Sequence, residues 1–325
     1  MYKIKIIGLF ILFQIIYMPI LGVGLIFYGP FTSIRDTIVT TAMTTMTHQY
    51  FATLFLSDEK IAEILEKNRP EVIHEEQKLD DIKIDENHKE GIELVDVSTK
   101  TFKGHLLIIN DPSRVKLAVT PKLGKVGATT SQIVEHYDAI GGINAGGFAD
   151  GAYITGGVPT GIAVVDSVLK SDVSNNSQHS IVGIDTNNKM ILSRSMSYNE
   201  IKRKNIRDAV TFGPIIILNG NPTIRSGDGG WGIQPRTAIG QRKDGAILML
   251  VADGRQADSL GATLKNVQDI FLKYNAYNAY NLDGGASTSM VYDGKVVNKP
   301  SDIMGERYVP SAFIITKVKK ASTGE

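Results

Sequence analysis

The chain of 325 residues contains no cysteine, a single tryptophan and almost no net charge. The absence of cysteine excludes disulfide scaffolds, thiolate nucleophiles and cysteine-ligated zinc or iron–sulfur sites. A formal net charge of +1, without a basic stripe that carries interleaved aromatic residues, gives no electrostatic case for binding nucleic acid. The six histidines form no metal-binding pattern such as H-E-x-x-H. Any catalysis must therefore use oxygen and nitrogen groups, and nucleic acid is excluded as a partner.

A long apolar run lies at the amino terminus. Residues 4–28 are almost wholly apolar, and about 20 such residues suffice to cross a bilayer as a helix. Lys3 and Lys5 lie at its start, so the positive-inside tendency keeps the amino terminus in the cytoplasm and the rest outside. A cleaved signal peptide is the alternative, but the run is longer than a usual signal core and no clear small-x-small cleavage pattern follows. We expect residues 1–30 to anchor the chain in the cell membrane as a single-pass protein with an extracytoplasmic C-terminal domain.

Two further segments precede the globular part of the chain. Residues 32–65 are rich in threonine and then amphipathic, and Ser57, followed by Glu59 and Lys60, predicts the start of a helix. Residues 71–90 hold eight acidic residues, three lysines and no aromatic residue. Such a charge run is typical of a solvated tether. We interpret residues 31–90 as a helical stalk and an acidic linker.

From Gly91 onward, short β-rich runs alternate with turn residues. Three turns lie between such runs and predict hairpins, at Asn187-Asn188, Lys243-Asp244-Gly245 and Asp293-Gly294. Apolar spacing predicts two helices, from Ser131 to Tyr137 and from Thr263 to Tyr274. The expected fold class is α+β: one mixed, largely antiparallel β-rich domain with a few helices over residues 91–320, and a tail at 321–325.

One long glycine-rich insertion interrupts this pattern, from Gly220 to Gly232, and it contains Trp231. An indole can stack on the apolar face of a sugar ring, so a lid over a site is one interpretation. A mobile loop is the other.

The turn that starts at Asp283 is too polar to be part of a core. It places a carboxylate, two glycines and three hydroxyls directly after an apolar run, as Asp283-Gly284-Gly285-Ala286-Ser287-Thr288-Ser289. These residues either lack apolar surface or need a polar partner when buried. The glycines let a ligand approach the backbone N–H groups. An ordinary tight turn is the alternative interpretation.

Three more polar residues follow or begin apolar runs. Asp253 ends the run from Ala246 to Ala252, and two carboxylates suit glycoside hydrolysis, although Asp253 also suits a turn. Arg236 begins a strand-like run, and its planar fork of donors suits a phosphate, although an ion pair is the alternative. Asn144 lies in a glycine-rich turn, where its amide can orient a sugar hydroxyl or form part of an ordinary turn.

Five fragments in this order resemble the phosphodiester glycosidase family, over roughly Leu94 to Ile315. They are Gly141-Gly142-Ile143-Asn144-Ala145-Gly146-Gly147-Phe148, Thr211-Phe212-Gly213-Pro214, Gln234-Pro235-Arg236-Thr237-Ala238-Ile239-Gly240, Val251-Ala252-Asp253-Gly254-Arg255 and Asn281-Leu282-Asp283-Gly284-Gly285. Five motifs in one order are far more specific than any single one.

The resemblance implies a hydrolase that cleaves the glycosidic bond of a sugar-1-phosphodiester in a cell-envelope polysaccharide or glycoconjugate. The catalytic residues that it implies are Asp283, Asp253 and Arg236. The substrate-binding residues that it implies are Asn144, Gly146, Gly147, Thr211, Gly213, Thr237, Gly284, Gly285, Ser287 and Thr288. The alternative is a non-catalytic binding or assembly protein of the cell envelope or of an exopolysaccharide, which keeps the fold and the pocket.

The sequence implies no definite cofactor. Clustered aspartates leave a divalent cation such as calcium open as a ligand, but Asp253 and Asp258 lack EF-hand spacing. The implied partners are a sugar phosphate or glycan polymer and, through residues 4–28, the membrane.

Overall fold

A computed structural model of the chain describes residues 2–45, 48–84, 91–149 and 156–318. The chain forms two compact units. The helical unit comprises Met1–Arg69 and Ser226–Gly232, and the sheet unit comprises Pro70–Arg225 and Ile233–Glu325. The predicted tail at 321–325 and residues 85–90 of the predicted linker lie outside the described residues.

The helical unit contains four helices. They are α1 (Tyr2–Tyr28), α2 (Thr32–Met43), α3 (Tyr50–Thr53) and α4 (Asp58–Asn68). α4 begins where its cap predicts, because the Ser57 hydroxyl accepts a hydrogen bond from the Lys60 N–H at 3.3 Å. Within α1, the 24 residues Lys5–Tyr28 are long and apolar enough to cross a membrane, a property that a signal sequence near the amino terminus shares. The unit has its own small core, formed by Phe27, Val39, Ala42, Ala52, Ile61 and Ile64.

The glycine-rich loop that follows Arg225 differs from both sequence-based interpretations, because residues 226–232 pack within the helical unit. The buried Asp228 carboxylate accepts hydrogen bonds from the Thr40 hydroxyl and from the Gly230 N–H, the latter at 2.7 Å. The Thr44 hydroxyl donates to the Trp231 carbonyl at 3.3 Å. Thr40 and Asp228 are 188 positions apart, so no local pattern indicates the pairing.

In the described residues of the sheet unit there are seventeen strands, three helices and three short 3₁₀ turns. The strands are β1 (Ile92–Asp96), β2 (Gly104–Ile109), β3 (Val115–Val119), β4 (Ala139–Asn144), β5 (Ala163–Val165), β6 (Val168–Leu169), β7 (His179–Asp185), β8 (Met190–Met196), β9 (Ile206–Thr211), β10 (Ile215–Leu218), β11 (Asn221–Pro222), β12 (Arg236–Arg242), β13 (Ile247–Ala252), β14 (Ala276–Asn281), β15 (Met290–Tyr292), β16 (Lys295–Val296) and β17 (Ser311–Thr316). The helices are α5 (Thr130–His136), α6 (Tyr198–Arg203) and α7 (Leu264–Lys273), and the turns are Leu79–Asp81, Pro112–Arg114 and Gly285–Ser287.

The strands form three antiparallel sheets. The seven-stranded sheet has the order β1-β2-β13-β12-β14-β10-β11, and the five-stranded sheets have the orders β16-β15-β4-β17-β3 and β6-β5-β9-β7-β8. One continuous apolar core joins all three, with members such as Met249, Phe313 and Val182. The predicted hairpins form at β7–β8, β12–β13 and β15–β16. The α+β fold class is therefore confirmed.

All three helices of the sheet unit begin at reciprocal caps, among them α5 and α7, which apolar spacing predicts. Thr129 caps α5 and Thr263 caps α7, and in each case the side chain three residues later accepts a hydrogen bond from the N–H of the cap. α7 then packs its apolar face on β14 and β12. This helix supports the two central strands that carry the candidate site.

The acidic segment is not a solvated tether over residues 71–84, which belong to the sheet unit. The Gln77 amide donates to the Met190 carbonyl and accepts from the Leu192 N–H, both at 2.8 Å, and Ile82 is 1% exposed. The Lys83 N–H donates to the Lys243 carbonyl at 2.7 Å. The segment combines acidic residues, several of them solvent-exposed, with scattered residues that contact the strands, so its overall charge conceals its packing.

Candidate active site

The order of the seven-stranded sheet brings three predicted site residues to one end. β12 lies between β13 and β14, and both pairings are antiparallel. The first residue of β12 is therefore level with the last residues of its two neighbours: Arg236 pairs with Ala252, and the Leu282 N–H donates to the Thr237 carbonyl at 2.9 Å. Asp253 and Asp283 each follow at once, so the sheet places Arg236 between the two strand ends that carry them.

The glycine after each aspartate permits a close approach to the residues before Arg236. A Cβ at Gly254 would lie 2.8 Å from the Pro235 nitrogen, and a Cβ at Gly284 would lie 2.7 Å from the Pro235 carbonyl oxygen. Side chains do not fit at such distances. The Gly285 N–H also donates to the Pro235 carbonyl at 2.9 Å, and Gly285 has a φ of +59°, which favours glycine. The two Asp-Gly motifs thus pack against the same Pro235 backbone.

Asn144 joins the second sheet to this site, and it is fully buried. Its Oδ1 accepts hydrogen bonds from the Thr237 hydroxyl at 2.8 Å and from the Ser289 N–H at 3.1 Å. Its Nδ2 donates to the Asp283 carbonyl at 2.6 Å. Asn144 therefore holds the Asp283 turn in place. The Thr237 hydroxyl supports it by donating to the Asn144 side chain.

Asp253 is a buried clamp. Its side chain accepts hydrogen bonds from the Asn298 amide at 2.8 Å and from the Lys299 N–H at 3.0 and 3.1 Å, and its carbonyl accepts from the Ser259 hydroxyl at 2.8 Å. Burial raises the pKa of the Asp253 carboxyl, and the hydrogen bonds from Asn298 and Lys299 partly offset that rise. This carboxylate connects the end of β13 to the segment that follows β16.

Asp283 is held through its backbone instead, and the residue is half-exposed. Its N–H donates to the Ala145 carbonyl at 3.0 Å, while its carbonyl accepts from Asn144. The following 3₁₀ turn, Gly285–Ser287, returns the chain to β15. The backbone of Asp283 is therefore fixed at a partly solvent-exposed position.

Arg255, which the sequence analysis did not assign, lies beside this turn, and Arg307 lies near Arg255. A Cβ at Gly285 would meet the exposed Arg255 guanidinium at 3.3 Å, and that guanidinium donates to the Gln234 side-chain oxygen at 2.7 and 3.1 Å. Partial desolvation, and after it the positive charge of Arg307, lower the pKa of Arg255. Arg307 itself lies over the Phe148 ring, 5.0 Å from its centroid.

Arg236 contributes a buried guanidinium to the same end of the sheet. It is 3% exposed, and its Nε donates to the Ala262 carbonyl at 3.0 Å. Arg255 belongs to the motif Val251-Ala252-Asp253-Gly254-Arg255, so its position directly after Asp253-Gly254 could have indicated a role in the site. Arg307 belongs to no quoted motif, and only the fold brings it near.

The predicted glycines at 146 and 147 contact protein atoms. A Cβ at Gly146 would lie 3.2 Å from Val210, and one at Gly147 would lie 3.0 Å from the Thr160 hydroxyl. Their small size is needed for the packing of β4 against the third sheet.

The remaining predicted residues are placed by main-chain and side-chain contacts of their own. The Thr211 hydroxyl accepts from the Ile162 N–H at 2.8 Å, and Gly213 exchanges hydrogen bonds with Asn281. Ser287 and Thr288 are 2% and 1% exposed. The Thr288 hydroxyl has no hydrogen-bond partner among the described residues.

No group of three histidine, aspartate or glutamate side chains suited to a metal ion occurs within residues 2–45, 48–84, 91–149 and 156–318. Asp253 directs its carboxylate to Asn298 and Lys299, as described.

Comparisons with known proteins agree with this arrangement. The sequence profile of the phosphodiester glycosidase family matches residues 137–316. Human N-acetylglucosamine-1-phosphodiester alpha-N-acetylglucosaminidase is 40% identical over 70 residues, which are 22% of this chain and 13% of that protein. A SPbeta prophage-derived uncharacterized protein of Bacillus subtilis is 43% identical over 68 residues, 21% of this chain and 11% of that protein. The matched stretches thus span only about an eighth of the length of these curated relatives.

Solved structures share the fold. The catalytic domain of zebrafish N-acetylglucosamine-1-phosphodiester alpha-N-acetylglucosaminidase, auto-inhibited by its pro-peptide, superposes with a TM-score of 0.60 at 21% identity, covering 75% of this chain and 88% of that chain. A putative exported protein from Burkholderia pseudomallei has a TM-score of 0.51 at 18% identity, covering 66% of this chain and 74% of that chain. The family profile covers more than half of the chain and contains β4, β12, β13 and β14 with their polar ends, so the chain belongs to the phosphodiester glycosidase family.

Proposed function

We propose that this chain is a membrane-anchored hydrolase that cleaves the glycosidic bond of a sugar-1-phosphodiester, such as an N-acetylglucosamine-1-phosphodiester, in a cell-envelope polysaccharide or glycoconjugate. In this proposal residues 1–30 form the anchor, and the sheet unit, to which residues 70–84 belong, carries out the reaction. Family membership supports the reaction type, and the likeness to the human and zebrafish enzymes supports the substrate class.

The observation that carries the proposal is that a carboxylate, Asp283, and a guanidinium, that of Arg255, lie at the same fixed turn. Asp283 is half-exposed on a turn clamped by Asn144 and Ala145, and the exposed Arg255 guanidinium lies beside Gly285 in the same turn. A sugar-1-phosphodiester needs both groups next to each other, because its reacting carbon is bonded directly to a phosphate oxygen.

The reaction requires stabilisation of two developing charges. Water forms a bond to C1 of the sugar, the C1–O bond breaks, and its electron pair stays on the phosphate oxygen, which gives a free sugar and a phosphate monoester. Asp283 accepts the proton of the attacking water or supports the positive charge at C1. Arg255 stabilises the additional negative charge on the phosphate, as a planar fork of donors does well.

The other two predicted catalytic residues take different parts in this proposal. The buried Arg236 guanidinium adds positive potential behind the site while its Nε holds the Ala262 carbonyl. Asp253 positions the segment at Asn298 and Lys299 and does not touch the substrate. This assignment leaves Asp283 as the reacting carboxylate.

A release assay tests the function. The full chain, purified in detergent, is incubated with methyl N-acetylglucosamine-1-phosphodiester, and free N-acetylglucosamine is measured. We expect release by the wild type and by Asp258→Asn, whose exposed side chain lies in the turn between Gln256 and Ser259. We expect loss of release in Asp283→Asn.

Two results would overturn the proposal in different ways. Binding of the substrate without release by the wild type would support the rival function, a non-catalytic cell-envelope or exopolysaccharide binding protein. Release by Asp283→Asn at the wild-type rate would remove Asp283 from the reaction while leaving the hydrolase in place.

The membrane part of the proposal has its own test. Lys3 and Lys5 at the start of α1 favour a cytoplasmic amino terminus and an extracytoplasmic sheet unit. Protease added to intact, wall-stripped cells should then digest the sheet unit. Protection in intact cells, with digestion after lysis, would contradict this topology.

A further inference from the structure

The turn between Asp302 and Gly305, which we name the apolar tip, presents two large hydrophobic side chains entirely to solvent. Ile303 is 100% exposed and Met304 is 90% exposed. Single exposed apolar residues are ordinary, but two adjacent ones at the end of a projecting turn are not, because polar residues usually occupy such positions. The tip exposes these side chains where aspartate, asparagine or glycine is normally found.

The apolar tip is a built turn. The Asp302 carbonyl accepts a hydrogen bond from the Gly305 N–H at 3.1 Å, and the Asp302 carboxylate accepts from the Met304 N–H at 2.9 Å. Gly305 has a φ of +92°, which a residue with a side chain rarely adopts. The two hydrophobic side chains are therefore held outward by a defined backbone.

Both ends of the segment that carries the tip are fixed to the candidate site. Before the tip, Lys299 is held through its N–H by the Asp253 carboxylate. After the tip, the Glu306 carboxylate accepts from the Ser289 hydroxyl at 2.6 Å and from the Ser131 N–H at 3.1 Å. Ser289 in turn donates its N–H to Asn144. The segment that carries the tip is thus hydrogen-bonded to the residues that hold the Asp283 turn.

Exposed lysines lie on the segments next to the tip: Lys299 lies three residues before Asp302, and Lys122 and Lys125 lie on the loop whose ends hydrogen-bond to residues 309–310. Lys122, Lys125 and Lys299 are exposed, and within the described ranges none of them forms an ion pair. The Asp302 and Glu306 carboxylates bind donors of the turn and its base, as described. The three lysines therefore add positive charge to the surface that carries the apolar tip.

Tyr308 and Val126 extend the apolar surface beside these lysines. Tyr308 is 49% exposed and Val126 is 39% exposed. Residues 156 and 157 lie between them. A Cβ at Gly156 would meet the Tyr308 carbonyl, and one at Gly157 would meet the Val126 nitrogen. An aromatic residue and lysines next to an apolar knob are the composition that suits the interface of a bilayer.

We propose that the apolar tip inserts into the surface of an anionic lipid bilayer, with Ile303 and Met304 below the headgroups and Lys122, Lys125 and Lys299 bound to lipid phosphates. Charge complementarity favours this partner, since lysines near a surface are attracted to anionic lipids. A protein partner fits less well, because stable protein interfaces bury broad surfaces that are depleted in lysine. Insertion would hold the mouth of the candidate site at a lipid surface, and it does not depend on the proposed hydrolysis.

The absence of cysteine permits a direct test with one label. Met304→Cys carries an environment-sensitive fluorophore in the full chain, reconstituted into phosphatidylglycerol vesicles that contain lipids with a nitroxide on the acyl chain. The matched control is Asp293→Cys, at the tip of the β15–β16 hairpin. We expect a blue-shifted emission and roughly twofold stronger quenching at position 304 than at 293, because only an inserted tip reaches the acyl chains.

A second variant tests the apolar and electrostatic parts of the proposal. Ile303→Asp in the Met304→Cys background should weaken the quenching, and so should replacing phosphatidylglycerol with phosphatidylcholine. Equal, water-like signals at 304 and 293 would overturn the proposal. So would a blue shift at 304 that appears without lipid on addition of methyl N-acetylglucosamine-1-phosphodiester, because the tip would then close over a bound substrate.

Discussion

Asp253 and Asp283 each follow a buried strand of the seven-stranded sheet and precede a glycine that packs against Pro235, yet the protein holds them in opposite ways. At Asp253 the side chain is clamped by Asn298 and Lys299. At Asp283 the backbone is clamped, and the residue stays half-exposed. Buried donors therefore fix the Asp253 carboxylate as a structural group, whereas Asp283 combines a fixed backbone with partial solvent exposure, which a reacting carboxylate needs.

This difference separates two residues that their local sequences present as equals. Both Asp-Gly pairs come directly after apolar strands, and both suit a turn or a site. The donors that distinguish them lie 45 and 46 positions after Asp253, in a segment without a local signal. Tertiary contacts therefore distinguish the two aspartates, and substitutions at each position can test the difference.

The largest expected effect is the loss of activity in Asp283→Asn. The amide keeps the size of the side chain but can neither accept a proton from water nor balance a positive charge at C1. We expect sugar release to fall by about 10² to 10⁴ with the fold unchanged. Release kinetics and a thermal unfolding curve measure both quantities. If Asp253→Asn is inactive and Asp283→Asn turns over normally, the roles of the two aspartates are reversed.

Arg255→Lys tests the cation that lies between the two aspartate turns. Lysine keeps the charge but loses the fork that donates to Gln234, so it cannot hold a phosphate from the same fixed position. A charge-assisted hydrogen bond contributes about 1.5–3 kcal/mol, which corresponds to a loss of roughly tenfold to a hundredfold in kcat/KM. Arg203→Lys, at the exposed end of α6, is the control. An unchanged kcat/KM in Arg255→Lys would exclude Arg255 from phosphate binding.

Asp253→Ala should affect stability more than the chemical step. It leaves the Asn298 amide and the Lys299 N–H without their acceptor, and an unsatisfied buried donor costs about 1–3 kcal/mol. The free energy of unfolding, measured by urea titration, should fall by about that amount, while Asp258→Ala, at an exposed position, should change it little. Unchanged stability in Asp253→Ala would show that the clamp is dispensable.

Much of this fold follows from local sequence, because caps, turns and apolar periodicity act over a few residues. Thr263 marks the start of α7, and Asp293-Gly294 marks the β15–β16 hairpin. Arg307 was missed because nothing near it in sequence shows that it lies over Phe148.

Two segments were misinterpreted for a related reason. The acidic segment at 71–84 and the glycine-rich loop at 226–232 both have compositions typical of exposed chain. Each is fixed by a few specific contacts, such as those of Gln77 and Asp228, with residues far away in sequence. Composition reports the average character of a segment, and a few buried side chains hardly change that average.

The smallest expected effect is the contribution of Asp253 to the pH dependence of stability. Burial raises the pKa of its carboxyl above the usual 3.8, so the folded protein binds this proton more tightly than the unfolded chain does. The stabilisation that results is fully present below pH 3.8 and is lost as pH rises through the raised pKa of the folded state. Asp253→Asn has no proton to release, so the stability of the wild type relative to this variant should decrease as pH rises across that window.

Urea unfolding of the two proteins at several pH values between 3 and 7 measures this difference. Asp208, whose pKa burial also raises, is present in both proteins, so its contribution cancels in the comparison. A wild-type advantage over Asp253→Asn that grows with pH would mean that the hydrogen bonds from Asn298 and Lys299 outweigh burial, and that Asp253 is held as a stable anion.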